Sequence, residues 1–109
     1  MIEIVNMNLN TLSKEIYKDN CVKGFYDIPR ETGTLIALMH SELSEALEAD
    51  RKDLMDDKLT HRSGLEVELA DCLIRILDFC GHKDLDIEGA INEKLAYNRS
   101  RPYKHGKNY

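Results

Sequence analysis

The stretch EVELADCLIRILDFC, residues 66–80, decides the fold of this chain. Read as a helix, its apolar residues cover most of the circumference, and they leave one narrow polar line formed by Glu68, Asp71, Arg75 and Asp78. Such a helix is expected at the centre of a bundle, because apolar cover on most sides must be buried. Its polar line must then face a partner, a ligand or an internal cavity.

A second helical pattern, HSELSEALEAD at residues 40–50, also carries two acids three residues apart. These are Glu42 and Glu45, and residues at this spacing lie on one side of a helix, as Glu68 and Asp71 do. The helix has an apolar stripe of Leu35, Leu38, Met39, Leu43, Ala46 and Ala49. Glu42 interrupts this stripe and Glu45 borders it, so Glu42 is expected to point inward.

Carboxylates gathered inside a bundle repel one another and are costly to bury. A hard divalent cation removes both problems, and the four acids therefore predict an oxygen-only Mg²⁺ or Mn²⁺ site. A di-iron centre is disfavoured because the chain has no Glu-x-x-His pair. The simpler alternative is that the acidic pairs are solvated helix faces. Arg75 is expected to form a structural salt bridge with Asp71 or Asp78, each one turn away.

Four helices are predicted, and an all-α class is favoured because the two prolines lie outside the helical patterns. They run from Leu9 to about Lys18, from Pro29–Thr32 to about Asp50, from the capping box at Ser63 to Gly81, and from Asp86 to about Ser100. A charged connection over 50–62 and a short extended segment at Met1–Val5 complete the prediction. A chain of 109 residues is long enough for one modest core and short enough that a partner subunit is expected.

Composition excludes several classes of function. Net charge is −5, and the final eleven residues alone carry +4, so the first 98 carry −9, which disfavours nucleic-acid binding. The two common glycine-rich phosphate loops are missing from the sequence. No run of apolar residues has transmembrane length, and three cysteines without zinc spacing indicate reduced thiols. A cytoplasmic protein that binds no membrane is expected.

Basic and amide side chains follow the fourth helix and the residues after it. Lys94 and Asn98 lie within the apolar arc of that helix, and the tail over residues 99–109 adds Arg101, Lys104 and Lys107 without an acid. These residues suit a small anionic ligand such as phosphate. The alternatives are a snorkelling Lys94 and a disordered, solubilising tail.

These motifs, in this order, resemble the MazG-like nucleoside triphosphate pyrophosphohydrolases. The shared features are ExxE, a charged gap, ExxD, a K-x-x-x-N helix and the basic tail RPYKHGK, and together they cover residues 34–108. The contexts LIALMHSELSEALEADRK and VELADCLIRILD make the resemblance specific. The family's metal-binding acids are matched by Glu42, Glu45, Glu68 and Asp71.

The resemblance implies that residues 1–109 form one domain, a four-helix-bundle-type fold that assembles into a homodimer or homotetramer. It implies Mg²⁺-dependent cleavage of (d)NTP between the α and β phosphates to a monophosphate and pyrophosphate, and some family members remove noncanonical nucleotides in a house-cleaning role. Our hypothesis is that Glu45 orients the attacking water. Phosphate contacts are assigned to Lys94, which also assists catalysis, and to Asn98, Arg101, Lys104 and Lys107. The rival is a non-catalytic helical dimerisation or regulatory module with a structural cation site.

Overall fold

The computed structural model describes residues 8–107 and is built from helices. They are α1 (Leu9–Val22), α2 (Thr32–Arg51), α3 (Gly64–Lys83), α4 (Ile87–Arg99) and a short 3-10 helix (Tyr103–Gly106). Residues 8–107 contain no strand, only an isolated bridge between Met55 and Ser63. The predicted all-α class and its four helices are therefore confirmed. The extended segment predicted at Met1–Val5 lies outside the described residues.

Helix α3 is the centre of the fold, as its apolar circumference predicts, because α1 and α2 both pack against it. Helix α2 runs antiparallel to α3: Ala49 near its end lies beside Gly64, while Met39 nearer its start accepts a hydrogen bond from Cys72. Helix α1 is also antiparallel: the buried Ser13 near its start donates to the Leu77 carbonyl and lies beside Gly81, while Asn20 near its end lines a cavity with Ile74. Two antiparallel neighbours therefore bring side chains from both sides onto the polar line of α3.

Side-chain caps fix three helix starts where the sequence places them. The Asn8 side chain accepts from the Thr11 amide at 2.7 Å, and the Asp86 side chain accepts from the Gly89 amide at 2.9 Å. Ser63 and Glu66 form the predicted capping box, each side chain bonding the other residue's backbone amide. These bonds satisfy amides that have no partner inside the helix.

Two predicted helix ends are wrong. Helix α1 continues past Lys18 to Val22, and α3 continues past Gly81 to Lys83 and ends where Asp84 takes a left-handed conformation with φ 54°. Gly81 is instead a point of close helix packing. A Cβ atom there would lie 2.6 Å from the Ser13 carbonyl oxygen, so the missing side chain lets α1 approach α3.

The connection between α2 and α3 is largely exposed, as its charge predicts, but it is tied down by hydrogen bonds. The Asp56 carboxylate accepts from the amides of Lys58 and Leu59. At the two ends, the Leu54 amide donates to the Ala49 carbonyl, and the Leu54 carbonyl accepts from the Gly64 amide. These bonds hold the start of α3 against the end of α2, which fixes how the two acidic helices align.

The core of the single chain is small. Among the described residues six apolar side chains are buried, whereas seventeen large apolar side chains are more than a third exposed. Leu43, predicted to lie on the core stripe of α2, is 49% exposed, and Leu73 of α3 is 59% exposed. Helix α4 has no buried residue and packs mainly on α1. Much of the apolar cover that the sequence provides is therefore not used within one chain.

Among the helices within residues 8–107, none combines the length and the apolar character that crossing a membrane requires.

Replacing Gly81 with Ala should lower the free energy of unfolding by about 1–3 kcal/mol, the usual cost of overpacking. The new Cβ would meet the Ser13 carbonyl oxygen at 2.6 Å and the Tyr17 Cβ at 2.7 Å. Alanine is otherwise the better helix former by up to about 1 kcal/mol, so a net loss reports the lost close approach. Urea denaturation followed by circular dichroism measures the change.

Gly33→Ala is the matched control, because Gly33 is also helical and a Cβ there would meet nothing within 4 Å. Its free energy of unfolding should stay the same or rise by up to about 1 kcal/mol. Equal effects of the two substitutions would contradict the packing role of Gly81.

Candidate metal centre

Three carboxylates converge where α2 faces α3. One oxygen atom each of Glu42, Glu68 and Asp71 can be chosen so that all three lie within 4.8 Å of one another. Glu42 comes from α2 and the other two from one side of α3. The antiparallel packing of two acidic pairs produces the cluster, as their positions on the helices predict.

Two oxygens of this cluster are buried without a hydrogen-bond partner, namely Glu42 Oε2 and Glu68 Oε2. Glu42 as a whole is only 8% exposed, which confirms that it points inward. A buried carboxylate oxygen that lacks a donor is costly, because its lost hydration is not replaced. Within the described residues these two oxygens therefore have no donor, and a hard cation is a group that could bind them.

Arg75 supplies part of the missing compensation. Its Nε donates to Glu42 Oε1 at 2.9 Å, which joins α3 to α2 through an ion pair. The predicted salt bridge of Arg75 to Asp71 or Asp78 is therefore replaced by a bond to a residue of the other helix. Glu42 is buried, with its side chain 10% exposed, and therefore needs a counter-ion, while the equally buried Asp78 accepts a hydrogen bond from Tyr26.

Burial and the short distances between the carboxylates shift the pKa values of the cluster. Burial and the neighbouring carboxylates of Glu42 and Glu45 raise the pKa of Glu68 to about 7. Burial also raises the pKa of Asp71, and the charge of Glu42 adds to that effect. Burial alone would raise the pKa of Glu42, but the hydrogen bond from Arg75 and the nearby Glu68 carboxyl outweigh it, so the pKa is lowered. Near neutral pH Glu68 is therefore only partly ionised, and a cation bound to it would displace the remaining proton.

Glu45 lies at the edge of this cluster rather than inside it. It is exposed and is not one of the three residues whose oxygens converge, yet it is near enough to Glu68 to raise the pKa of that carboxyl. This is the border position that the sequence predicts. Its role as a metal ligand or as the residue that orients water stays a prediction.

A cavity of about 290 Å³ opens beside the carboxylates. Its lining residues are Asn20, Phe25, Arg30, Glu42, Asp71, Ile74, Arg75 and Asp78. Asn20, Phe25 and Arg30 were not assigned to the site from the sequence. One signal for this loop was the adjacent pair Phe25 and Tyr26, because aromatic residues in a short loop between helices indicate a specific packing partner. The cavity joins two arginines to the acid cluster.

The loop between α1 and α2 is fixed over this cavity by Tyr26. Its hydroxyl donates to Asp78 Oδ2 at 2.7 Å, and its ring packs 4.5 Å from the ring of His82 and 4.9 Å from that of Tyr17. Burial and the bond to Asp78 raise the pKa of the Tyr26 hydroxyl. Asp78 is thus held by a tyrosine and not by a salt bridge. His82 is half-buried in this aromatic cluster.

The residues assigned to phosphate binding lie elsewhere in the single chain. Lys94 is exposed, with its Nζ 4.7 Å from the centre of the Tyr97 ring, and the Arg101 guanidinium lies 5.6 Å from the same ring. Lys104 and Lys107 are exposed near the 3-10 helix, and Asn98 is half-buried with an unpartnered Oδ1. Among the described residues, the cavity has no lining residue from α4 or beyond. Their contacts with a substrate stay predictions.

Comparison of the chain with protein-family models, with curated proteins and with solved structures finds no significant match.

The metal-free protein should lose stability through Glu68 as the pH rises from about 4.5 to about 7. A carboxyl whose folded pKa is raised stabilises the fold fully below its unfolded pKa, and that contribution is lost as the pH rises through the folded pKa. Glu68→Gln stays neutral throughout. Its free energy of unfolding should therefore exceed that of the wild type by about 1–2 kcal/mol at pH 8, and the difference should vanish near pH 4.5.

Urea denaturation in a chelating buffer at several pH values measures this difference. Glu93→Gln, on the exposed part of α4, is the matched control and should show no pH-dependent gain. A constant difference between Glu68→Gln and the wild type at all pH values would contradict a shifted Glu68.

Proposed function

We propose that this chain is a Mg²⁺-dependent nucleoside triphosphate pyrophosphohydrolase that cleaves (d)NTP between the α and β phosphates. The observation that supports it most is the buried, unpartnered oxygen of Glu42 within a group of three carboxylates, beside a cavity that two arginines line. Carboxylates that bind a cation next to guanidinium groups suit a polyphosphate substrate. The sequence resemblance implies the same reaction.

The donor set fits Mg²⁺ or Mn²⁺. Glu42, Glu68 and Asp71 offer only oxygen, which these ions prefer, and Glu45 is close enough to complete the set. When bound, the ion neutralises phosphate charge and favours ionisation of a water molecule. Cys or His ligands, which would indicate zinc or redox metals, are not among the three converging residues.

Side chains of the protein would carry out the other steps of the reaction. Glu42 and Asp71 would hold the ion, and Glu45, exposed at the edge, would accept the proton of the attacking water. The water oxygen attacks the α or the β phosphorus atom, and the bond from that phosphorus to the α–β bridging oxygen breaks. The products are a monophosphate and pyrophosphate. Cationic side chains stabilise the charge that develops on the leaving group, and this is the role proposed for Lys94 and for the tail.

A second copy of the chain is part of this proposal. An open apolar groove of about 760 Å³ runs along α1, α3 and α4. Its apolar lining residues are Leu9, Leu12, Ile16, Ala70, Leu73, Ile74, Ile76, Leu77, Ile87 and Ile91. A patch of this kind on a small chain marks an interface. We propose a homodimer or homotetramer, since a second copy buries the groove and is also able to bring the basic residues of α4 to the carboxylates.

Replacing the converging acids with their amides should abolish Mg²⁺-dependent turnover, because each change removes an anionic oxygen ligand. Glu42→Gln, Glu68→Gln and Asp71→Asn are each expected to lower kcat/KM at least 100-fold, on the order of 2.7 kcal/mol in the barrier. The assay is release of pyrophosphate from a panel of canonical and modified NTPs. Unchanged circular dichroism shows that the fold survives.

Glu15→Gln on the exposed part of α1 is the control and should keep wild-type turnover. A folded acid variant with full activity would remove that residue from the site. A wild-type protein that releases no pyrophosphate from any NTP, yet binds Mg²⁺, would favour the non-catalytic helical module.

The protein should be at least a dimer at micromolar concentration, because seventeen large apolar side chains of the described residues are more than a third exposed in one chain. Light scattering coupled to size exclusion gives the mass. Leu73→Lys, on the central helix and within the groove, should shift the protein towards monomer, while Leu59→Lys in the α2–α3 connection should not. A monomeric wild type would contradict the assembly.

A further inference from the structure

Arg75 occupies a position that the proposed reaction does not yet explain. Its Nε bonds Glu42, whereas neither Nη atom hydrogen-bonds to any described residue, and the side chain is 39% exposed. It lines the 290 Å³ cavity beside the acid cluster. A guanidinium with two free Nη groups facing a cavity is a donor fork of the kind that binds the oxygens of a phosphate.

We propose that Arg75 is a substrate-binding residue that releases Glu42 to the metal ion and takes the phosphate of the nucleoside monophosphate half of the substrate. The inference rests on the proposed function and extends it by assigning the cavity as the subsite of that half. In the metal-free protein Arg75 neutralises Glu42. With a divalent ion on Glu42, the guanidinium is freed to turn towards the cavity.

The charges around the cavity explain why substrate binding requires the metal. Two arginines, Arg30 and Arg75, face three acids, Glu42, Asp71 and Asp78, so with all groups ionised the lining carries −1. A divalent ion held by Glu42, Glu68 and Asp71 would add two positive charges beside this lining. A phosphate is therefore expected to bind more tightly after the metal than before it, and the two ligands bind cooperatively.

The size and walls of the cavity favour the monophosphate half over the pyrophosphate half. Pockets for complete ligands commonly measure about 300–1,000 Å³, so a cavity of about 290 Å³ takes only part of a triphosphate. Along α3, Asp71 and Asp78 are separated by about 10.5 Å, comparable with the length of a nucleoside monophosphate. Phe25, 57% exposed, and Ile74, 45% exposed, provide apolar surface for a base.

The loop that carries Phe25 and Arg30 is anchored to α3. Tyr26 lies between them in the chain and anchors the loop to α3 through Asp78 and the ring of His82. The Arg30 guanidinium lies 5.9 Å from the centre of the Tyr26 ring. Tyr26 therefore anchors the loop that brings both Phe25 and the second arginine to the cavity.

Arg75→Gln tests the inference, because the proposal predicts effects of opposite sign on two ligands. Isothermal titration at pH 8 measures Mn²⁺ alone, and then each of the four deoxynucleoside monophosphates in saturating Mg²⁺. Mn²⁺ should bind several-fold tighter, since a competing cation is removed from Glu42. The best-bound monophosphate should bind ten-fold or more weakly, since a charged hydrogen-bond donor is lost.

Pyrophosphate in saturating Mg²⁺ is the second arm, and its affinity should change less than two-fold. A loss confined to pyrophosphate, or equal losses for both anions, would overturn the assignment of the cavity. So would monophosphate binding to the wild type that is equally tight without a metal. Arg75→Lys should keep wild-type Mn²⁺ affinity but lose part of the monophosphate affinity, because lysine keeps the charge and lacks the fork.

Arg62→Gln is the matched control, since Arg62 also pairs with a glutamate but lies on the exposed side of the α3 N-terminus. Both affinities should be unchanged. If Arg75→Gln weakens Mn²⁺ and monophosphate together, its role is structural and the inference fails while the proposed function stands. If the wild type binds no Mn²⁺ at these carboxylates, the proposed function and the inference fail together.

Discussion

The ion pair between Glu42 and Arg75 is the interaction on which the arrangement of the site depends. Burying Glu42 in the α2–α3 contact removes its hydration, and the carboxylates of Glu68 and Asp71 lie close to it. Arg75 compensates one Glu42 oxygen at 2.9 Å and leaves the other without a donor. Among the described residues, Arg75 is therefore the cation that bonds Glu42 in the metal-free fold. The three acids together would accommodate two or more positive charges.

The helices and the inward direction of Glu42 follow from the sequence because they depend on local rules. Capping side chains such as Ser63 and Asp86 act on amides two or three residues away, and the period of the apolar residues fixes which face is buried. Convergence of the acids follows in turn, since two antiparallel helices with inward acids must place them together. The fold class and the three-carboxylate cluster were thus within reach of sequence reasoning.

Contacts between residues of different helices could not be predicted from such local rules. Arg75 has Asp71 and Asp78 one turn away on its own helix, yet it pairs with Glu42 of α2, while the equally buried Asp78 accepts a hydrogen bond from Tyr26. The same holds for Gly81, a helix terminator by local rules and a site of close approach to α1 in the fold. Such outcomes depend on packing geometry, which a single sequence does not encode locally. Lys94 on α4 likewise is not among the residues that line the cavity.

The position of a bound cation is the most direct test of the metal centre. Crystals grown in saturating Mn²⁺ would be measured at wavelengths on either side of the manganese absorption edge. An anomalous peak bonded to oxygens of Glu42, Glu68 and Asp71, with Arg75 Nε no longer on Glu42, is the result expected. Ordered carboxylates with no manganese peak between them, and with Arg75 still bonded to Glu42, would contradict a metal centre at this site.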